Sequence, residues 1–148
     1  MRIRNALKLV SLGIVLLAAR AHASTSYHIG NSLTWDMLPW GLSAMGTVSG
    51  KTHHTGYHVR AGMHLDYIWD HPDDTTYTNT YGNYVNALPS NEWDFVTMQP
   101  FYKAESTLGQ DENRIIDFID LTRSGPSLST RFFIYSAWPS SPETYQTT

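Results

Sequence analysis

Apolar and polar positions along this chain follow two periods, and each change of period marks a strand or a helix. Tyr27-His28-Ile29 is a short run of strand formers that breaks at Gly30. From Pro39 to Met45 the apolar Trp40, Leu42 and Met45 predict a short helix, with Gly46 and Gly50 as the turn that follows. His54 to Arg60 alternates Tyr57 and Val59 against polar neighbours, as a strand does, and stops at Ala61-Gly62. His64 to Trp69 reads as a further helix start. Pro72 to Tyr84, rich in Asp, Thr, Asn, Tyr and Gly, reads as a surface excursion.

The clearest strands come later. Asp94-Phe95-Val96-Thr97-Met98-Gln99 is closed by Pro100, and Arg131-Phe132-Phe133-Ile134-Tyr135 by Trp138-Pro139. Between them Thr107-Leu108-Gly109-Gln110 fits a capping box, and Ile115, Phe118, Ile119 and Thr122 recur at helical spacing until Gly125-Pro126. Strand, helix, strand in that order predicts a parallel pair joined by a right-handed crossover. The whole pattern predicts an open α/β sheet.

The first residues change where the fold begins. Arg2, Arg4 and Lys8 precede an uncharged apolar run from Leu9 to Ala19, and Ala21-His22-Ala23 has the A-x-A form of a cleavage site. Residues 1–23 therefore read as a signal peptide and 24–148 as one domain, secreted or periplasmic. The apolar run is shorter than the roughly 20 residues a bilayer requires, so no stable membrane insertion is expected after cleavage. Arg20 inside the cleavage region leaves an uncleaved anchor as the competing reading.

Of the 10 Lys and Arg, Arg2, Arg4, Lys8 and Arg20 precede Ser24, leaving 6 against 13 Asp and Glu, a net charge of −7. That sign disfavours nucleic acid and anionic membranes as partners. The chain has no Cys, which excludes disulfides, a thiol nucleophile and a lipoprotein anchor.

Candidate chemistry starts at Gly30-Asn31-Ser32-Leu33-Thr34, directly after the first predicted strand. A serine where a strand turns into a helix can present its hydroxyl to a cleft beside unpaired helix amides. The same Gly-Asn-Ser turn also serves simply to cap a helix. This segment resembles the first block of the SGNH (GDSL-type) hydrolases, with Asn31 where many members have Asp. Ala61-Gly62-Met63-His64-Leu65 stands where that family has its second-block glycine, and Trp93 to Phe101 where it has its third block. Gln99 there departs from the usual Gly-x-Asn-Asp.

The resemblance implies a three-layer α/β/α, flavodoxin-like fold of the SGNH hydrolase type, with a parallel sheet in the order 2-1-3-4-5. It further implies Ser32 as nucleophile, an oxyanion hole from the Ser32 and Gly62 amides with the Gln99 side chain, and a late Asp-x-x-His as base. In such a sheet Ser32, Gly62 and Gln99 all fall at strand carboxyl ends, where a topological switch point collects ligands. Gly62 otherwise reads as a strand-end glycine with positive φ, and Gln99 as a side chain satisfying a strand-terminal carbonyl.

The base is the missing part. No Asp-x-x-His occurs in the chain, and no histidine follows His71. A serine hydroxyl is a weak nucleophile without a base in reach. The chain is therefore expected to be the N-terminal part of such a domain, incomplete at the C-terminus and inactive by itself. Its run from Phe132 to Tyr135 would then keep an unpaired edge and an uncovered face.

His64, two residues past Gly62, is the internal candidate for a base; its other reading is a solvent-facing helix histidine. His53, His54 and His58 match no strong metal spacing, and Asp66, Asp70, Asp73 and Asp74 read as a solvated acidic surface. No cofactor and no metal are expected. The expected reaction is ester hydrolysis through an acyl-enzyme on Ser32. The expected substrate is a small-molecule or carbohydrate ester, the sugar being suggested by secretion and by Trp35, Trp40 and Tyr81. A non-catalytic carbohydrate-binding or interaction module on the same scaffold is the alternative.

Overall fold

A computed structural model of the chain describes residues 23–101 and 108–135. Residues 1–22 of the signal segment, Thr107 of the capping box, and Trp138-Pro139 lie outside the described residues. The elements in chain order are β1 (Ser24–Gly30), α1 (Ser32–Asp36), α2 (Pro39–Val48), β2 (His53–Val59), α3 (Leu65–Asp70), β3 (Tyr77–Thr78), α4 (Tyr84–Ser90), β4 (Phe95–Met98), α5 (Leu108–Arg123) and β5 (Arg131–Ile134).

The strands form one five-stranded sheet in the order β3-β2-β1-β4-β5. β1 pairs in parallel with both β2 and β4, and β4 with β5; only the two-residue β3 runs antiparallel, on the outer edge of β2. The first strand thus lies in the middle, and the chain leaves β1, β2 and β4 at the same end.

Strand alternation sorts side chains between two layers. Tyr27, Ile29, Val96 and Met98 face a buried cluster completed by Leu65 and Ile68 of α3, Tyr84, Ala87 and Leu88 of α4, Trp93, and Phe118 of α5. Gly56 belongs to this side, where a Cβ would stand 2.4 Å from the Tyr27 ring and 3.0 Å from Trp93. The glycine is what lets these two rings cross the sheet at 5.1 Å. On the opposite side α2 packs on β2, while Ser26, His28, Thr97 and Phe133 line an open groove of about 920 Å³ beside Leu42 and Met45. Phe133 is exposed there and Ile134 on the other face of the strand, and β5 has no outer neighbour among the described residues.

Three local readings need correction. Gly46 does not turn the chain but sits inside α2, where a Cβ would come 3.0 Å from that of His53; Gly50, with φ +68°, follows the helix end. The excursion from Pro72 to Tyr84 contains β3 and leads into α4, a helix the pattern did not announce. The aspartates do lie at the surface, but Asp66, Asp70 and Asp74 are ion-paired there. Arg114 of α5 binds Asp66 at 2.7 Å, Asp70 at 3.3 Å and Asp117 at 3.0 Å, and Asp74 takes both Arg60 at 2.8 Å and the Tyr67 hydroxyl at 2.7 Å.

Among the described residues no helix is long and apolar enough to cross a membrane.

Candidate active site

The ends of β1, β2 and β4 meet at Asn31. Its Oδ1 accepts the Leu33 N–H at 3.0 Å, which caps α1. Its Nδ2 donates to the Met63 carbonyl at 3.3 Å, and its backbone N–H donates to Gln99 Oε1 at 3.2 Å. Backbone bonds from Arg60 N–H to the Gly30 carbonyl, 2.9 Å, and from Gln99 N–H to the Ile29 carbonyl, 3.0 Å, extend the sheet to the same point. With Asn31 almost wholly buried, its side chain and its backbone N–H together hold three loops in place.

Ser32 follows as the first residue of α1 and is exposed. Its hydroxyl has no hydrogen-bond partner among the described residues. As the first helical residue its N–H has no intrahelical acceptor. α1 has only five residues, so its macrodipole adds little and the local amides carry the polarity. Gly30 is fixed by contact: a Cβ there would lie 2.1 Å from Thr34 Oγ1 and 2.7 Å from Gln99 Cβ. Thr34 is buried beneath α1, and the Tyr135 hydroxyl at the end of β5 donates to its Oγ1 at 2.5 Å. Burial pushes the Tyr135 phenol up to about 12, so it stays a donor across the working pH range.

Gly62 is required by conformation, not by space. It has φ +73° in a turn closed by Met63 N–H to the Arg60 carbonyl at 3.3 Å, and a Cβ would meet nothing within 4 Å. This is the glycine position of a type II turn. The Ala61 N–H is held by Thr76 Oγ1 at 2.9 Å, so the turn is braced from the segment entering β3.

Ser32, Gly62 and Gln99 are therefore brought to one end of the sheet, but not into equal exposure. The Gln99 side chain is fully buried; Oε1 receives the Asn31 N–H, and Nε2 donates to the Pro100 carbonyl at 2.7 Å. It acts here as a clamp between β4 and the serine turn.

His64 caps α3: its Nδ1 accepts the Tyr67 N–H at 3.3 Å. In the neutral ring that bond leaves the proton on Nε2. One turn along α5 from Arg114 lies Asp111, almost fully buried, its carboxyl beside the Phe101 backbone N–H. Burial pushes this carboxyl up, against the opposing pull of His64. Asp111 carried no signal in the sequence, because a first-turn aspartate on a helix is ordinarily exposed.

The histidines of β2 are separated by the strand. His53 faces the groove side, with Nε2 2.9 Å from Ser26 Oγ, whereas His58 packs against Tyr84 in the other layer. Among the described residues no group of three His, Cys, Asp or Glu is placed to hold a metal ion. Of the aromatic residues read as sugar contacts, Tyr81 is turned inward, edge-on to Trp93 at 5.0 Å, while Trp35 and Trp40 remain at the surface beside α1.

No family model and no curated protein matches the chain. Among solved structures it is similar to a DUF4886 family protein from Bacteroides uniformis, with a TM-score of 0.56 and 16% sequence identity over 76% of this chain. The chain spans about half of that protein, 49% of its length. At this identity the likeness is one of fold.

Proposed function

We propose that the chain carries the nucleophile-bearing part of an SGNH-type serine esterase, on a flavodoxin-like three-layer scaffold, and that Ser32 forms the acyl-enzyme. One observation carries this reading: an exposed, unpartnered serine follows the central strand, held by a buried asparagine that also grips the exits of both neighbouring strands. That arrangement fixes the nucleophile while leaving its hydroxyl to the solvent side. Ser32 Oγ attacks the ester carbonyl, the alkoxide leaves, and water later releases the acyl group. The Ser32 and Gly62 amides are the proposed donors to the tetrahedral oxyanion, each such donor being worth about 10² to 10³ in rate. Gln99 contributes first by holding Asn31, and through the second N–H of Nε2 if its amide turns outward.

The reading needs a proton acceptor for Ser32 Oγ, and His64 in its capping tautomer offers none. This point and the inward amide of Gln99 favour the second reading, a binding or interaction module on the same scaffold. Ser32→Ala separates the two. In the first reading the domain joined to a base-bearing C-terminal segment is labelled at Ser32 by a fluorophosphonate probe and hydrolyses p-nitrophenyl acetate, and the variant loses both. Equal behaviour of the two proteins removes Ser32 from the mechanism.

A further inference from the structure

The largest group of aromatic side chains outside the core stands next to Ser32. Trp35 lies three residues along α1, on the same face of the helix as the serine. Its ring stacks on Tyr77 with centroids 4.0 Å apart and planes 16° apart, meets Tyr57 edge-on at 5.6 Å, and lies 6.1 Å from Trp40. Tyr77 is the β3 partner of Val59, the last residue of β2. The stack therefore bridges the exits of β1 and β2, the same two exits that carry Ser32 and Gly62. None of these four rings belongs to the buried cluster, and two are well exposed, Tyr77 at 41% and Trp40 at 52%.

The corner that sets Trp40 beside Trp35 is strained. Leu38, between α1 and α2, has φ +57°, the one non-glycine residue with positive φ among those described. Such a conformation is unfavourable for a residue with a Cβ and persists where the surroundings impose it. Burial of Leu38 does not impose it, since that side chain is itself 48% exposed.

We infer that the exposed faces of Tyr77 and Trp40, propped on Trp35 between them, form a carbohydrate subsite on which the apolar face of a pyranose ring stacks while an ester on that sugar reaches Ser32. The inference rests on Ser32 being the nucleophile. Flat aromatic faces suit sugar C–H groups, and the hydroxyls at the ring edge need polar neighbours. Two are exposed nearby in the chain, Asp36 on α1 and Thr76 before β3. A lipid surface fits less well, because the net charge of −7 after Ser24 repels anionic headgroups. Tyr57, half-buried on β2, buttresses Trp35 edge-on and is the structural member of the group.

The test reads binding in the Ser32→Ala chain, so that it does not depend on turnover. Tryptophan fluorescence and affinity electrophoresis are recorded against soluble acetylated xylan, acetylated glucomannan and acetylated pectin, with phosphatidylcholine vesicles as the lipid probe. The expected result is saturable binding to at least one polysaccharide, weakened tenfold or more by Trp40→Ala and by Tyr77→Ser, with no vesicle binding. Both positions are surface-exposed, and circular dichroism of the variants verifies folding. Binding to no polysaccharide, binding unchanged in both variants, or binding to vesicles alone overturns the subsite. Hydrolysis of p-nitrophenyl acetate by the domain joined to a base-bearing C-terminal segment is scored separately. Activity without polysaccharide binding removes the subsite and keeps the esterase; binding without activity or Ser32 labelling keeps the platform and removes the nucleophile.

Discussion

Asn31 shows how much one buried amide can do. It has to be both donor and acceptor, since Oδ1 takes the Leu33 N–H and Nδ2 gives to the Met63 carbonyl. An aspartate, which the family resembled by this chain often has here, keeps the cap but turns an oxygen toward that carbonyl. Asn31→Asp is therefore expected to lower stability by about 1 to 3 kcal/mol at neutral pH, read as a shift in the urea midpoint, and to recover part of the loss as the carboxyl protonates. An unchanged midpoint would separate Asn31 from the β2 loop. The serine turn itself was legible, because Gly30 and the cap lie within four residues of each other. The clamp was not: Asn31 bonds across 32 residues to Met63 and across 68 to Gln99, and no local pattern encodes such partners.

At the scale of elements, the strands read most faithfully. β4 and β5 are short β-prone runs ended by Pro or Gly, and their parallel pairing followed from the helical spacing between them. α4 escaped notice because Asn86 and Pro89 dilute its signal; the helix is held by tertiary contacts, Trp93 Nε1 to the Ala87 carbonyl at 3.0 Å and Tyr84 against Phe118 at 4.9 Å. β3 is too short to have any period. The joint between α3 and α5 is polar at its rim, where Arg114 meets three carboxylates. Arg114→Ala is expected to cost about 1 kcal/mol, the upper range for a partly exposed pair, because the arginine joins a network. The gap from wild type should narrow in 1 M sodium chloride, measured by urea unfolding. A gap indifferent to salt would assign Arg114 to packing through its stem over Trp69, 5.9 Å away.

For the whole molecule, two buried histidines set the acid limit. Burial lowers both His28 and His58 to about 4 in the folded chain, while the unfolded chain binds protons near 6.5. The unfolded state therefore takes up protons first as pH falls, so stability is full above about 6.5 and drains away between 6.5 and 4. The expected loss from pH 7 to pH 5 is on the order of 2 kcal/mol for each histidine, measured by urea unfolding at the two pH values. His58→Gln should flatten that slope by about half. A pH-independent midpoint over this range would mean that both rings titrate normally.

His28 also belongs to a chain of contacts running across three strands. Ser26 Oγ is 2.9 Å from Nε2 of both His28 and His53, and Nδ1 of His28 is 2.8 Å from Thr97 Oγ1. A hydroxyl has one proton to give and two lone pairs to receive, so at most one imidazole receives from Ser26 and at least one supplies Nε2–H to it. Where the Ser26 proton lies between them, the two neutral rings point in opposite senses, a binary arrangement with both orientations open at neutral pH. Once the more exposed His53 gains a proton, only one sense survives: His53 donates, Ser26 turns toward His28, and His28 must keep its own proton on Nδ1, facing Thr97. Nitrogen-15 chemical shifts of the two rings should report this as a change of tautomer at His28 without any change in its charge, a message passed from the open face to the sheet interior by the rotation of one hydroxyl.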